Sequence, residues 1–521
     1  MNNIEKILAF DFVKDFAEIN PSANLYLVGG AVRDAFLGIE SSDFDLVAEN
    51  ITWDELISYL ERYGKVAAVE GRNFGVVKFT SEKPSLNLPL KNRERLNIDI
   101  ALPRSEVYLQ GGRRKDASIQ TESMTIYDDL LRRDFTINAM AIDLRTSNQK
   151  LDQILSVSLV PCSWSLVPRS FIDPYGGLND LEKKLICAVG DPAERFLEDP
   201  TRILRGIRFA VRFGFEIEQG TKAAMKELLP EIFKKYCDEA GREVPRVSFE
   251  MIGQEFLRAI IANPAETIYL YDEIGVLAKI LPEVKAMQGV EQPREFHSEG
   301  DVYIHTMMAL RNLTKDASPE LKIATLLHDI GKPPTFRSAA ETGDRIRFSG
   351  HDAVGTEMAR AILNRLRYPG RFIDDVAYLI KNHMRLPFHF PQMKEEKQRA
   401  FVRDPRFYEL LSLVEADAKA SIWANGNYNL EFLPPVQKVL AEIEADKKAG
   451  RPLEIITGDE IIAEIRKLQP SFDPKKEGKI VGTIKKTINC MYDKKEFEGK
   501  EAALSLVNKL YEKYHGKKAQ D

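Results

Sequence analysis

Residues 25–48, LYLVGGAVRDAFLGIESSDFDLVA, leave few folds open to this chain. An apolar run enters Gly29 and Gly30, a short helical stretch follows and stops at Gly38, and a second strand carries Asp43 and Asp45. Glycines at a strand–helix junction let backbone N–H groups approach a phosphate closely, and a helix N-terminus adds its positive end. The period of two in the second strand puts Asp43 and Asp45 on one face, with Phe44 and Leu46 on the other. Two carboxylates one pleat apart can share a pair of magnesium ions that clamp a nucleoside triphosphate and activate an attacking hydroxyl. Asp99, alternating with Ile98 and Ile100 in LNIDIALPR, can add a third acid from a neighbouring strand.

FGVVKF, NIDIAL and TINAMAID read as further strands, so the first 146 residues predict a small mixed β-sheet with helices. From about residue 178 the pattern is almost wholly helical. Residues 263–284 read as two helices ending at a proline, and 470–479 as a loop before the last helices. Segments 80–97 and 147–172 are irregular and read as insertions or connecting loops. A chain of 521 residues exceeds one core. The expected class is α+β, divided as a head (1–146), a connecting insertion and neck (147–222), a helical body (223–290), a histidine-bearing helical domain (291–450) and a helical tail (451–521).

The formal net charge of −5 means that any nucleic-acid partner has to be held by a local basic surface. One such surface is the segment 91–115, with Arg93, Arg95, Arg104, Arg113 and Arg114. The other is LEDPTRILRGIRFAVRFGF, residues 197–215. At 100° per residue Arg202, Arg205, Arg208 and Arg212 share about one third of a helix circumference, opposite a stripe of Ile203, Leu204, Ile207, Ala210 and Val211. The absence of eighteen consecutive apolar residues and of a signal-peptide core predicts no membrane partner. Four scattered cysteines without CxxC spacing predict a cytoplasmic setting and no zinc ribbon.

Six of the seven histidines fall between 297 and 389. His305, His328 with Asp329, His351, His383 and Asp417 lie on successive predicted helices, and imidazoles mixed with carboxylates suit a divalent transition metal or magnesium.

The strand–GG–helix–DxD order resembles the signature of the DNA polymerase β-like nucleotidyltransferase superfamily. With LLRRDFTINAMAID (130–143), DPYGGLNDLEKK (173–184) and the arginine helix following in order, residues 24–290 closely resemble the class II tRNA nucleotidyltransferase and bacterial poly(A) polymerase family. HDIGK and its flanking histidines resemble the HD-domain versions of these enzymes to about residue 430, and ITGDEIIAEI (456–465) fits their C-terminal part. The resemblance implies that Asp43, Asp45 and Asp99 are the catalytic acids, with two Mg²⁺ ions on Asp43 and Asp45. It places Gly29, Gly30 and Arg33 against the triphosphate and Arg133 and Asp134 at the ribose, with Asn138 supporting their loop. It assigns base reading to Glu198, Asp199 and Arg202, braced by Arg205 and Arg208. A carboxylate accepts and a guanidinium donates, so this set can mimic a base's pairing edge and distinguish CTP and ATP from UTP and GTP. In the HD domain His305, His328, Asp329 and Asp417 would be the core ligands, and His351 and His383 could hold a second ion.

The expected function is therefore CCA addition to tRNA 3′ ends from CTP and ATP, with the tRNA recognised by shape. A phosphohydrolase activity in the HD domain is expected as a second possibility. A CC-only or A-only enzyme differs in the flexible loop at about 101–120, whose behaviour no residue pattern reveals. A poly(A) polymerase shares nearly all the head motifs, but the HD centre and the lack of a strongly basic tail argue against it. A third alternative, an HD phosphohydrolase or RNA-binding module with a vestigial head, is opposed by the presence together of Asp43, Asp45, Arg133, Asp134, Asp199 and Arg202.

Overall fold

Val28 pairs with Asp45, and Asp45 pairs with Asp99, so the register of three strands brings the acids to the middle of one sheet. The computed structural model describes residues 3–67, 76–81, 97–107, 118–120, 124–145, 170–237 and 241–517. Segments 80–97, 91–115, 101–120 and 147–172 lie largely outside the described residues. The chain divides into two compact units, Met1–Val276 and Leu277–Asp521, a boundary that falls inside the expected 223–290 segment.

The first unit is built on β1 (Asn24–Val28), β2 (Asp43–Glu49), β3 (Gly64–Ala67), β4 (Val76–Ser81), β5 (Asn97–Ala101), β6 (Ala141–Asp143) and β7 (Phe171–Ile172). Their order is β3-β4-β5-β2-β1-β6-β7, and only the β2–β5 pair runs parallel. Phe44, Leu46, Ile98 and Ile100 are buried, while Asp43 and Asp45 are exposed on the opposite face, as the period of two requires. Helix α1 (Gly30–Phe36) leaves β1 directly.

Five local readings change. Residues 263–284 form three helices, Pro264–Ile274, Val276–Ile280 and Pro282–Lys285, the last starting at its proline. Phe171–Ile172, in the segment read as a loop, is strand β7. In TINAMAID, Thr136–Asn138 is a 3₁₀ turn and only Ala141–Asp143 is strand, because Thr136 is tied to a neighbouring segment: its N–H donates to Cys187 O at 2.9 Å and its hydroxyl to Asp180 at 2.6 Å. The arginine segment is two helices, α3 (Pro192–Glu198) and α4 (Thr201–Phe213). Pro200 forbids helical backbone before it, and Asp199 is extended at φ −140°, ψ 96°. Residues 470–479 are a loop only as far as Asp473, which caps a helix starting at Pro474.

Among the described residues, the second unit is helical apart from an isolated bridge between Arg337 and Arg347. Its metal-ligand candidates lie on or beside α5 (Val302–Arg311), α6 (Pro319–Leu327), α7 (His351–Arg365), α8 (Gly370–Asn382) and α9 (Phe407–Ala420). Ile456, Ile461, Ile465, Ile484, Ile488, Ala503 and Val507 form a separate buried cluster within residues 455–511.

Candidate active site and metal centre

A cleft of about 560 Å³ in the first unit is lined by Asp43, Asp45 and Asp99 on one side. Arg33, Arg104, Arg132, Arg133, Arg202, Arg205 and Arg208 line the rest, with Gly30, Asp134, Asn138 and Asp199. The Asp45 carboxyl is open to the cleft, yet the surrounding walls desolvate it. Desolvation pushes its pKa above the usual carboxylate value, with Asp99 and Asp43 adding like charge and Arg133 opposing. Crowded carboxylates of this kind fit bound divalent cations.

Gly29, at φ +71°, turns the chain from β1 into α1. The backbone there favours glycine, and a Cβ would stand 2.5 Å from Arg133 Nη1 and 3.5 Å from Asp45 Oδ2, so a side chain would displace the Arg133 guanidinium from the turn. Arg33 is almost fully buried: Nε and Nη2 donate to Asp34 at 2.8 and 2.7 Å, Nη1 donates to Asn138 Oδ1, and its guanidinium lies 4.7 Å from the Phe213 ring centre. Asn138 donates to Asp134 Oδ1 at 2.9 Å, and Arg205 Nε donates to Asp134 Oδ2 at 2.8 Å. Burial alone would raise the Asp134 pKa, but Arg205 and Asn138 outweigh it and hold the carboxyl far below its usual range. Residues from three sequence motifs thus form one hydrogen-bonded chain, Arg33–Asn138–Asp134–Arg205.

At the other end of the cleft, Arg202 Nη1 donates to Glu198 at 2.8 Å and Arg195 O at 3.1 Å, and Nη2 to Arg132 O at 2.8 Å. Glu198 does not line the cleft: its second oxygen is taken by Arg195 at 2.6 Å. Asp199 does line it. Its Oδ1 accepts from the Thr201 N–H at 3.0 Å, and among the described residues no donor reaches Oδ2. Arg208 donates to buried Glu255 at 2.6 Å, which anchors α4 to the helix Phe249–Ala262.

The second centre lies in the second unit. His305 Nε2 is 2.9 Å from Asp417 Oδ1, His328 Nε2 is 3.2 Å from Asp329 Oδ2, and His351 Nε2 is 3.2 Å from His383 Nε2. Nδ1 of His328, His351 and His383 each meets the carbonyl three residues earlier, at 2.8, 2.9 and 2.6 Å. A carbonyl only accepts, so these nitrogens carry the ring protons and the Nε2 lone pairs face inward. Two lone pairs 3.2 Å apart repel unless a cation lies between them. His383 is held neutral, its pKa lowered to about 4 by burial and then by His328 and His351. Burial also lowers that of His328, but Asp329 and Asp417 reverse the effect and raise it to about 10, a measure of how much these carboxylates favour a positive charge at Nε2. Ligand atoms lie within 4.8 Å of one another in the groups His305–His328–Asp417 and Asp329–His351–His383, which fits divalent metal binding.

The motifs did not disclose Asp129, which pairs with Arg132 and Arg133 at 2.5 and 2.9 Å, although its i,i+3 and i,i+4 spacing was a usable signal. They also missed Lys332, 2.7 Å from Asp329, and Glu299, whose Oε1 meets Nδ1 of both His297 and His305 at 2.7 and 2.9 Å.

The fold and the cleft define a nucleotidyltransferase joined to an HD domain. Residues 25–187 match the Poly A polymerase head domain family and residues 297–404 the HD domain family. The Multifunctional CCA protein of Legionella pneumophila (strain Paris) is 32% identical over 408 residues, which cover 76% of this chain and 84% of that protein. The Multifunctional CCA protein of Nitrosomonas europaea is 32% identical over 361 residues, 69% of this chain and 73% of that one. The crystal structure of the Bacillus stearothermophilus CCA-adding enzyme in complex with CTP covers all of both chains with a TM-score of 0.57 at 17% identity, a likeness of fold. The chain belongs to the tRNA nucleotidyltransferase and poly(A) polymerase family. No helix among the described residues is long and apolar enough to cross a membrane.

Proposed function

We propose that this enzyme adds C, C and A to the 3′ ends of tRNA in the cytoplasm, taking CTP and ATP. The observation that carries the reading is the single cleft in which three carboxylates on adjoining strands face an arginine wall ending at Asp199 and Arg202. Asp43, Asp45 and Asp99 would hold two Mg²⁺ ions, which when bound supply Lewis-acid activation of the RNA 3′-hydroxyl and neutralise the leaving pyrophosphate. The hydroxyl attacks the α-phosphate and pyrophosphate leaves, without a covalent enzyme intermediate. Arg133, expected at the ribose, is assigned instead as a cation for the triphosphate, because its Nη1 stands beside the glycine turn. Asp199 Oδ2 is free to accept the exocyclic amine of cytosine or adenine, and Arg202 keeps two of its five N–H groups for ring acceptors, three being taken by protein. UTP and GTP present a carbonyl where Asp199 needs a donor, and an unpaired buried acceptor discriminates strongly.

Transcripts of tRNA ending before CCA, after C and after CC, incubated with Mg²⁺ and each NTP singly or with CTP plus ATP, test this directly. The expected products are CCA ends followed by arrest, abolished in Asp43→Ala. CC alone, or A only on the CC-ending transcript, would assign a split pathway. Long A tails on unrelated RNA would make the enzyme a poly(A) polymerase, and no incorporation would remove the transferase reading.

The HD domain is proposed to bind a divalent metal through His305, His328, Asp329 and Asp417, with His351 and His383 beside a second ion, and to hydrolyse phosphate esters. Titration with Mn²⁺ or Ni²⁺ is expected to show His383→Ala weakening one binding event by at least about tenfold. Ring-opening hydrolysis of 2′,3′-cyclic nucleotides to the nucleoside monophosphate should disappear with it. Unchanged metal affinity in that variant would refute the ligand assignment.

A further inference from the structure

Asp129, on helix α2 (Ile126–Leu131), has no solvent exposure and accepts two guanidinium forks. Oδ1 takes Arg132 Nε at 3.0 Å and Nη2 at 2.5 Å, and Oδ2 takes Arg133 Nη2 at 2.9 Å and Nε at 3.3 Å. The two arginines serve opposite ends of the cleft. Arg133 reaches the metal end, with Nη1 against Gly29 and donating to Asn138 O at 3.3 Å. Arg132 serves the base end through its main chain, because its carbonyl oxygen receives Arg202 Nη2 at 2.8 Å.

We propose that Asp129 is a positioning residue of the nucleotidyl transfer site: one buried carboxylate sets the arginine beside the triphosphate and the peptide that steadies Arg202. This rests on the base-reading role given to Arg202 above. The chemistry requires a carboxylate. Each oxygen must accept from a guanidinium, and an amide offers one acceptor and one NH₂ group, which would confront N–H donors. Glutamate is one methylene longer and would have to displace one fork to keep the other. Freed of the carboxylate, Arg133 can swing from the glycine turn, and the Arg132 peptide loses the side chain that pins it. Misplacement by an ångström in such a site costs about 10²-fold.

The test compares Asp129→Asn, Arg132→Met and Arg133→Met with wild type in two assays: addition of C to tRNA ending before CCA, and equilibrium binding of CTP and UTP with Mg²⁺ in the absence of tRNA. Asp129→Asn is expected to lower kcat/KM for CTP by about 10²-fold and the CTP-over-UTP preference by about tenfold. Arg132→Met should lose mainly preference, and Arg133→Met mainly rate. That split separates positioning from general loosening, which would move both together, and the two arginine variants carry the test if Asp129→Asn does not fold. Wild-type preference in both Asp129→Asn and Arg132→Met would overturn the proposal, as would equal losses of rate and preference in the two arginine variants. If wild type adds nothing to tRNA, the proposed function fails, while the CTP and UTP affinities still decide the role of Asp129.

Discussion

Asp45→Asn is expected to slow nucleotide addition by about 10³-fold, close to 4 kcal/mol of barrier, while the metal-free protein melts at or slightly above the wild-type temperature. Both halves come from the same crowding. Asp45 pairs across the sheet with Asp99 and shares a strand face with Asp43, and desolvation followed by these like charges raises its pKa. A carboxyl whose folded pKa lies above its unfolded one favours the fold most below the unfolded value, and that contribution is lost as pH rises through the folded value. Near neutral pH the ionised Asp45 therefore opposes folding unless a cation answers it. Asparagine removes the charge and with it the crowding and, on the proposed function, a metal ligand. Magnesium should reverse the order of stability, because only the wild type gains the binding free energy that raises Tm with ion concentration. Melting curves in EDTA and in Mg²⁺, at pH 7.5 and again at about pH 4, would show a gap that closes on acidification. A variant melting well below wild type in EDTA, or adding nucleotides within tenfold of its rate, would contradict the account.

Such acids were legible because a strand has a period of two. Once Phe44 and Leu46 were placed in the core, Asp43 and Asp45 had to share the other face, and the buried Ile98 and Ile100 did the same for Asp99. The order of motifs then carried the family and the α+β class. What stayed hidden depends on contacts between distant residues. Glu198 is next to Asp199 in sequence, yet Pro200 ends one helix and starts another between the pair and Arg202, so Glu198 clamps two arginines while Asp199 faces the cleft. Arg33 was expected against the triphosphate; it lines the cleft, but no motif disclosed that Asp34, Asn138 and the Phe213 ring would hold its guanidinium in the interior. The histidines announced a metal centre by composition. Only the geometry shows that their Nδ1 protons are fixed by carbonyls three residues earlier in the chain, which is what turns the Nε2 atoms inward.

Gly331→Ala is expected to destabilise the second unit by about 3 kcal/mol and to strip metal from the His351–His383 side of the HD centre. Gly331 has φ −79°, which alanine adopts freely, so the cost is wholly one of space. A Cβ at this position would stand 2.1 Å from His351 O and 2.7 Å from Gly355 N, and both are backbone atoms that no rotamer change can move. The first turn of α7 would have to retreat from the segment that carries His328 and Asp329. His351 rides on that turn, 3.5 Å from Asp329 Oδ1 and 3.2 Å from His383 Nε2, so the retreat opens the ligand set as well as the packing. For a unit of this size the lost stability corresponds to a Tm lower by about 6–12 °C. Gly370→Ala supplies the control, since a Cβ there meets nothing within 4 Å at the start of α8. It should be neutral or stabilising by up to about 1 kcal/mol, through the unfolded chain alone. Thermal melts of the two variants, with bound metal counted by mass spectrometry, would separate the causes. Equal melting of Gly331→Ala and wild type would mean that α7 can shift without loss, and the close backbone approach could not then be what seats His351 in the ligand set.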